Sequence, residues 1–267
     1  MGEDPPTAAE RRLDTSVPHP ARVWDYWLGG TDNFPADREV GEAIIEVMPD
    51  LPTIARAERQ FIGRAVRYLA GECGVDQFLD IGTGIPTAEN VHQVAQSVNP
   101  KARIVYVDRD PIVLVHARML LKGTPEGTTD YVDADLRSPD VILQAASETL
   151  NFYRPVALMI LGVLEFIPDD TLARDAVRAL VDGLAPGSYL AIASSVTSPS
   201  MDEAAALWNS AGATPIHLRS VPEVTAFFDG LELLPPGVVS LPKWHPGPDT
   251  LYADREVYQY GGIARKP

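Results

Sequence analysis

Three carboxylates, Asp80, Asp108 and Asp135, each close an apolar run, and two glycines follow the first of them in Asp80-Ile81-Gly82-Thr83-Gly84. An apolar run, a glycine turn and then helix-forming sequence read as strand, turn and helix. Glycine tolerates backbone angles and a closeness of approach that a Cβ forbids, so a ligand can lie against the main chain at such a turn. Amides at the start of the next helix would point at that ligand. Asp80 would repel a phosphate, and no Lys or Arg falls within residues 77–87 to hold one. The stretch therefore suits a nucleoside without a bare phosphate, and Asp80 favours one that carries positive charge, such as an ammonium group.

Asp108 follows Gly84 by 24 residues, close to the spacing at which an acid after the second strand of a nucleotide-binding fold takes ribose hydroxyls. Its two oxygens can accept from a vicinal diol. Asp135 is placed to accept from an adenine amino group, and the Leu136 amide to reach a ring nitrogen. Thr83, Arg109 beside Asp108, and Gly162 complete the candidate binding set. Each signal is common by itself; their order and spacing together carry the weight.

These side chains need a scaffold that gathers strand ends. Residues 77–81, 102–108, 129–132, 155–161 and 189–194 read as strands. Helical sequence lies between them, over 87–98, 111–121, 138–150 and 169–184. This alternation predicts an α/β, doubly wound, mostly parallel sheet with helices on both faces. Ligands of such sheets sit beyond the carboxyl ends of the strands, so one fold brings all three aspartates to one rim. Past residue 198 the rhythm loosens. Ser200-x-x-Glu203 and Ser220-x-x-Glu223 read as capping boxes, and two more strands are expected near 238–241 and 257–264.

The domain plan is a flexible tail over 1–17, an N-terminal helical extension or lid over 18–72, and a Rossmann-like domain over 73–267. Within the extension, helices over 35–48 and 53–70 are separated by Pro49-Asp50-Leu51-Pro52. Ile54, Phe61, Ile62, Ala65, Val66 and Leu69 recur at helical spacing, which gives the second helix a packing role. Trp24, Tyr26 and Trp27 fall just before Gly29-Gly30-Thr31-Asp32-Asn33. One reading is a lid whose aromatics shape a substrate pocket, with Tyr26, Trp27 and Asn33 facing it. The other makes Val23, Trp24, Trp27 and Leu28 one helical face anchored to the core; the two are compatible.

Hydrophobic content of 45% and charged content of 22% are those of an ordinary globular chain. A formal charge of −15 argues against loose attraction to nucleic acid or anionic membrane. No run reaches the about 20 apolar residues of a membrane span, and the acidic, Pro-rich start has no apolar signal segment, so a cytoplasmic protein is expected. The single cysteine, Cys73, excludes an internal disulfide. His19, His92, His116, His217 and His245 show no metal-ligand spacing, and no metal is expected.

With these motifs the chain resembles the class I S-adenosylmethionine-dependent methyltransferases. More narrowly it is similar to an actinobacterial S-adenosyl methyltransferase family first catalogued as a domain of unknown function. The closer match rests on residues 20–30 (Pro20-Ala21-Arg22-Val23-Trp24-Asp25-Tyr26-Trp27-Leu28-Gly29-Gly30), residues 78–87 around the glycine turn, and Val105-Tyr106-Val107-Asp108. It extends to Phe227-Phe228-Asp229-Gly230-Leu231 and Tyr260-Gly261-Gly262-Ile263-Ala264. The resemblance implies a seven-stranded sheet whose last strand is antiparallel, S-adenosylmethionine as cofactor, and cofactor roles for Asp80, Gly82, Gly84, Asp108 and Asp135. Pro86 stands where the broad class often has a third glycine. It has no amide, which leaves donation to Thr83, Gly84 or Ile85.

The methyl acceptor is expected to be a small molecule held near residues 161–166. There Glu165 could orient an amine or take a proton from a hydroxyl; its other reading is a cap or surface acid. No Asp/Asn-Pro-Pro-aromatic motif follows the fourth strand, which sets aside enzymes that methylate adenine or glutamine amides. Two other functions compete. A nicotinamide-dependent oxidoreductase is disfavoured by the missing third glycine and by Asp80. An S-adenosylmethionine-binding or regulatory protein without catalysis fits the same pocket.

Overall fold

The computed structural model describes residues 14–86, 89–110, 113 and 123–267. Five strands run parallel in the order β3-β2-β1-β4-β5: β1 (Gln77–Ile81), β2 (Arg103–Asp108), β3 (Thr128–Asp133), β4 (Ala157–Leu161) and β5 (Tyr189–Ser195). β8 (Gln259–Arg265) lies antiparallel along the whole of β5. Two short strands pair antiparallel with β8: β6 (Glu232–Leu233) opposite Arg265 and Ala264, and β7 (Val239–Ser240) opposite Gly261 and Tyr260. Since β5 fills one edge of β8, both pieces lie along the other. The eight strands thus occupy seven lanes, the expected seven-stranded plan with its outermost lane split in two.

Period-two alternation decides which face each strand residue serves. Phe78, Ile104, Tyr106 and Met159 pack with α3 (Leu51–Gly71) and α4 (Val91–Val98) on one face. Leu79, Ile81, Val105, Val107, Leu158 and Ile160 pack with α5 (Pro139–Ala146) and α6 (Asp170–Asp182) on the other. Buried on both faces, β1 and β4 are apolar nearly throughout, as central parallel strands must be. By the same alternation Asp80 and Asp108 point to the α3 side.

A third cluster forms the cap. Val23 and Trp27 of α1 (Pro20–Leu28), Val40 and Ile44 of α2 (Pro35–Val47), and Met201, Ala204 and Trp208 of α7 (Pro199–Ser210) bury one another. Ile54 and Ala55 from the first half of α3 join them, whereas Phe61, Ala65 and Leu69 from its second half pack on the sheet. One long helix therefore carries the chain from cap to sheet.

Two differences from the sequence reading stand out. The helix from Ser200 is capped instead by Ser198, whose hydroxyl accepts from the Met201 amide at 3.2 Å. Pro199 then occupies the first turn, where its missing amide costs nothing. The helix expected over 87–98 is described from Val91, after an Asn90 cap. The helix over 111–121 and the tail up to residue 13 lie outside the described residues. The box at Ser220 forms as expected, with the Ser220 amide donating to Glu223 at 2.8 Å, and opens α8 (Val221–Thr225).

The cap is fastened by buried charge. Asp37 is fully buried and accepts from the His19 and Phe34 amides and from Arg22, with which it forms an ion pair of 3.0 Å. Arg22 also donates to the Asp14 and Val17 carbonyls, so residues 14–17, expected in the tail, are tied down. Removing Asp37 would leave the Arg22 charge buried and unpaired. Asp37→Ala should cost about 3–5 kcal/mol, read as a lower urea midpoint; a loss below about 1 kcal/mol would show that the pair does not fasten the cap.

Candidate active site

A cleft opens where β1, β2 and β4 end, between the sheet and the cap. Strand order reverses between β1 and β4, and ligands of open α/β sheets bind at such a switch point. The loops after these two strands lean on each other: a Cβ on Gly82 would come within 2.2 Å of Val163.

Of the residues singled out from sequence, Asp80, Gly82, Thr83, Gly84, Asp108, Arg109, Asp135, Leu136, Gly162, Glu165 and Trp27 line this cleft. Tyr26 and Asn33 do not. Tyr26 turns to the surface and donates to Glu42 at 3.1 Å. The Asn33 amide donates to Asp25 at 2.8 Å and to the Gly30 carbonyl at 3.0 Å, and its own oxygen accepts from Arg38. Asn33 thus latches the turn after α1 and cannot also face a substrate. Trp27 is buried in the cap core and also borders the cleft.

The glycine turn works differently from the expected direct cradle. The Gly82 amide donates to the Val107 carbonyl at 2.7 Å. Gly84, with φ of 64°, turns its amide onto Asp108 at 3.1 Å. Asp108 accepts a second bond from the Asp110 amide at 2.9 Å. The turn therefore aims a carboxylate, and two of that carboxylate's roughly four lone-pair positions remain.

Asp135 is more heavily committed. Its Oδ1 accepts from the Arg137 amide and Nε, and its Oδ2 from Arg137 Nη2 at 2.6 Å and Arg109 Nη1 at 3.2 Å. Four donors fill a carboxylate, so the expected bond from an adenine amino group would have to displace one. Arg109 also reaches Thr214 beyond α7, tying the strand rim to the cap.

Gly162 has a φ of 64°, where a side chain is strained, and its open side meets a neighbour the sequence reading passed over. A Cβ there would lie 3.0 and 3.1 Å from the carboxylate oxygens of Glu58 on α3. Glu58 is buried and accepts from the Gln259 side chain on β8. Glu165, read either as catalytic or as a surface acid, is buried and faces the cleft. It sits on the short 3-10 turn Leu164–Phe166; its Oε1 accepts from the Ser195 amide at 2.6 Å, while its Oε2 is buried without a hydrogen-bond partner. Arg219, itself buried, holds this turn from below by donating to the Leu164 and Ile167 carbonyls at 2.8 and 2.7 Å and to Asp170.

Glu58 and Arg59, both bordering the cleft, were hidden inside a helix assigned to packing. The signal was present: Glu58 lies four residues after Ile54 and three before Phe61, on the apolar stripe itself. His19, read as a surface or core residue, stands at the cleft margin 3.0 Å from Asp110.

So many carboxylates in one cleft perturb one another. Burial, with Glu165 nearby, pushes Glu58 from its ordinary 4.5 up to about 8. Burial lifts Asp80 to about 7, opposed by the Arg59 charge and assisted by Asp108. Burial also raises Asp108 and Glu165. Asp135 goes the other way, held well below the usual range by its bonds from Arg137.

A family described as S-adenosyl methyltransferase matches residues 6–267. The chain belongs to this family. A DUF574 family protein from Streptomyces avermitilis is 45% identical over 96% of this chain and 100% of that one, with a TM-score of 0.92. A putative methyltransferase from Thermobifida fusca is 39% identical over 96% of this chain and 98% of that one, with a TM-score of 0.87. A magnesium protoporphyrin IX methyltransferase from Synechocystis, with S-adenosylhomocysteine bound, shares the fold at 14% identity, a TM-score of 0.55, and coverage of 92% and 93%. No functionally curated protein matches the chain. The protein is an S-adenosylmethionine-dependent methyltransferase, and S-adenosylmethionine is its cofactor.

The cleft of this methyltransferase fits that group. Asp108 keeps acceptor positions for a diol, and the Thr83 hydroxyl at the cleft is buried without a partner. The carboxylates suit a positively charged ligand. Among the described residues, no group of three or more His, Cys, Asp or Glu side chains could hold a metal ion.

The sign of the pH dependence follows from Glu58. An unfolded glutamate releases its proton near pH 4.5, whereas the folded one keeps it to about pH 8. Its stabilising contribution is therefore complete below about pH 4.5 and lost as pH rises to about 8. Thermal melting without ligand should show Tm falling by a few degrees across that window, with a shallower fall in Glu58→Gln. Equal slopes would place the titrating group elsewhere.

Proposed function

We propose that this methyltransferase acts on a small-molecule acceptor that enters between the N-terminal helical cap and the sheet, with Glu165 as the residue that orients the acceptor and holds its proton. The observation that carries the reading is the Glu165 carboxylate, buried at the cleft with one oxygen fixed by Ser195 and the other without a protein partner. S-adenosylmethionine, when bound, supplies a methyl group already activated on a sulfonium.

What the chain must add is placement and exclusion of water. Asp108, aimed by Gly84, binds the ribose hydroxyls. Ala134 and Leu136 offer apolar surface beside it for the base. Asp80, facing Arg59, keeps the floor of the cleft acidic. Above it, Trp24, Trp27, Met201 and Trp208 form an apolar wall for the body of an acceptor. On this reading residues 18–72 act as the lid of the site. A charge of −15 further weighs against nucleic acid as the acceptor.

Calorimetric titration with S-adenosylmethionine, S-adenosylhomocysteine and the nicotinamide dinucleotides tests the binding half. Only the first two should bind, and Asp108→Ala should weaken both by about 1.5–3 kcal/mol, the value of a hydrogen bond to a charged group. Unchanged affinity in Asp108→Ala would refute the ribose assignment. Incubation with labelled cofactor and host extract tests transfer; a labelled small molecule is expected, and its persistent absence would favour a binding role without catalysis.

A further inference from the structure

Glu58 and Glu165 come from different elements and form a built pair. Glu58 reaches over Gly162 from α3, and Glu165 rises from the turn that follows β4. The two are anchored on one cross-strand pair. Ser195 and Gln259 stand opposite each other in the β5–β8 ladder; the Ser195 amide donates to Glu165 and the Gln259 side chain donates to Glu58. Both glutamates are at least nine-tenths buried, and Oε2 of Glu165 has no partner.

The charges facing this pair do not neutralise it. Glu58 faces Glu165, Asp80 and Arg59. Arg59 is shared with Asp80 and Glu89. Glu165 faces Glu58 and Arg219, whose guanidinium is committed to Asp170 and two carbonyls. Gln259 and Ser195 are neutral. Two close carboxyls in a low dielectric cannot both ionise unless a cation joins them. A hydroxyl brings no charge, whereas an ammonium brings one and fills the open lone pairs of Glu165. Beside the pair, Phe166 packs edge-on against Trp208 with centroids 6.5 Å apart, and Trp24 packs likewise against Trp27 at 5.6 Å. Aromatic faces and a carboxylate pair together favour an organic cation with an apolar body.

We propose that the Glu58–Glu165 pair is the acceptor subsite and that the methyl acceptor is an amine with an apolar or aromatic body, bound as its ammonium ion. The proposal rests on the methyl-transfer reading above. In the step it implies, the ammonium gives one proton to the carboxylate pair and exposes the nitrogen lone pair. The C–N bond forms as the methyl C–S bond breaks, and the electron pair of that bond stays on sulfur. The products are an N-methylammonium ion and a neutral thioether, and the proton held by the pair passes to water.

The same ammonium chemistry belongs to the amino-acid end of S-adenosylmethionine, and the experiment separates the two sources. Full-length protein saturated with S-adenosylhomocysteine is titrated calorimetrically with 2-phenylethylamine and 2-phenylethanol, and with hexylamine and hexanol. Each amine should bind at least tenfold more tightly than its alcohol. E58Q and E165Q should each lose at least tenfold in amine affinity while S-adenosylhomocysteine affinity stays within twofold. Equal binding of amine and alcohol, or variants that retain amine affinity, would overturn the proposal. Variants that lose S-adenosylhomocysteine instead would give the pair to the cofactor's own ammonium and overturn it as well. The amine–alcohol comparison in the unmodified protein needs no variant to fold. Failure of S-adenosylhomocysteine to bind the unmodified protein would strike the cofactor reading itself, whereas normal binding with no amine preference removes only the acceptor class.

Discussion

Carboxylates crowded into low dielectric are stable only when protonated or when they face positive charge, and this constraint organises the cleft. Asp80, Asp108, Glu58 and Glu165 converge from β1, β2, α3 and the turn after β4, with Arg59 as the cation set among them. Alternation along the strands directs Asp80 and Asp108 to the face that α3 covers. Gly162 leaves the space through which Glu58 reaches them. Desolvation raises each carboxyl, and a positively charged ligand would recover that loss.

The cap borders this site, and several of the residues that hold it also line the cleft. The Arg22–Asp37 ion pair and the Asp25–Asn33 latch fix α1 to α2, and apolar packing against α7 and the start of α3 does the rest. Because α3 continues from that cluster onto the sheet, the cap cannot shift as a separate body without disturbing Glu58 and Arg59. Arg219 performs the corresponding task below the cleft, fixing the turn that bears Glu165 by bonds to its backbone. These supports account for the motif residues around positions 20–34 without requiring them to touch a substrate.

Family membership and the site geometry complement each other. The family match establishes methyl transfer and the cofactor, and the relatives at 45% and 39% identity share the whole architecture. Neither specifies an acceptor. The acceptor proposed here rests on chemistry that sequence similarity does not carry: two buried glutamates anchored on one cross-strand pair, bordered by aromatic rings. Pro86, which removes an amide from the glycine turn, follows a turn whose Gly82 and Thr83 amides go to Val107 and whose Gly84 amide goes to Asp108. Here the main chain organises a side chain that in turn meets the ligand.

By itself the sequence determined the order of strands and helices, the doubly wound parallel sheet, the strand-end aspartates and, through them, the nucleoside character of the ligand. Those features are local or periodic: an apolar run of five residues, a glycine pair, a fixed interval between Gly84 and Asp108. The tertiary structure alone decided which long-range neighbours meet. It brought Glu58 to Glu165 across more than a hundred residues, split the last lane of the sheet into β6 and β7, and turned Asn33 and Tyr26 away from the cleft. It also closed Asp135 with two arginines. No periodicity announces such contacts, because they depend on how elements pack and which buried charges find partners. Glu58 lies between the two cases: its place on an apolar stripe was visible, but its purpose was set only when Gly162 and Gln259 folded against it.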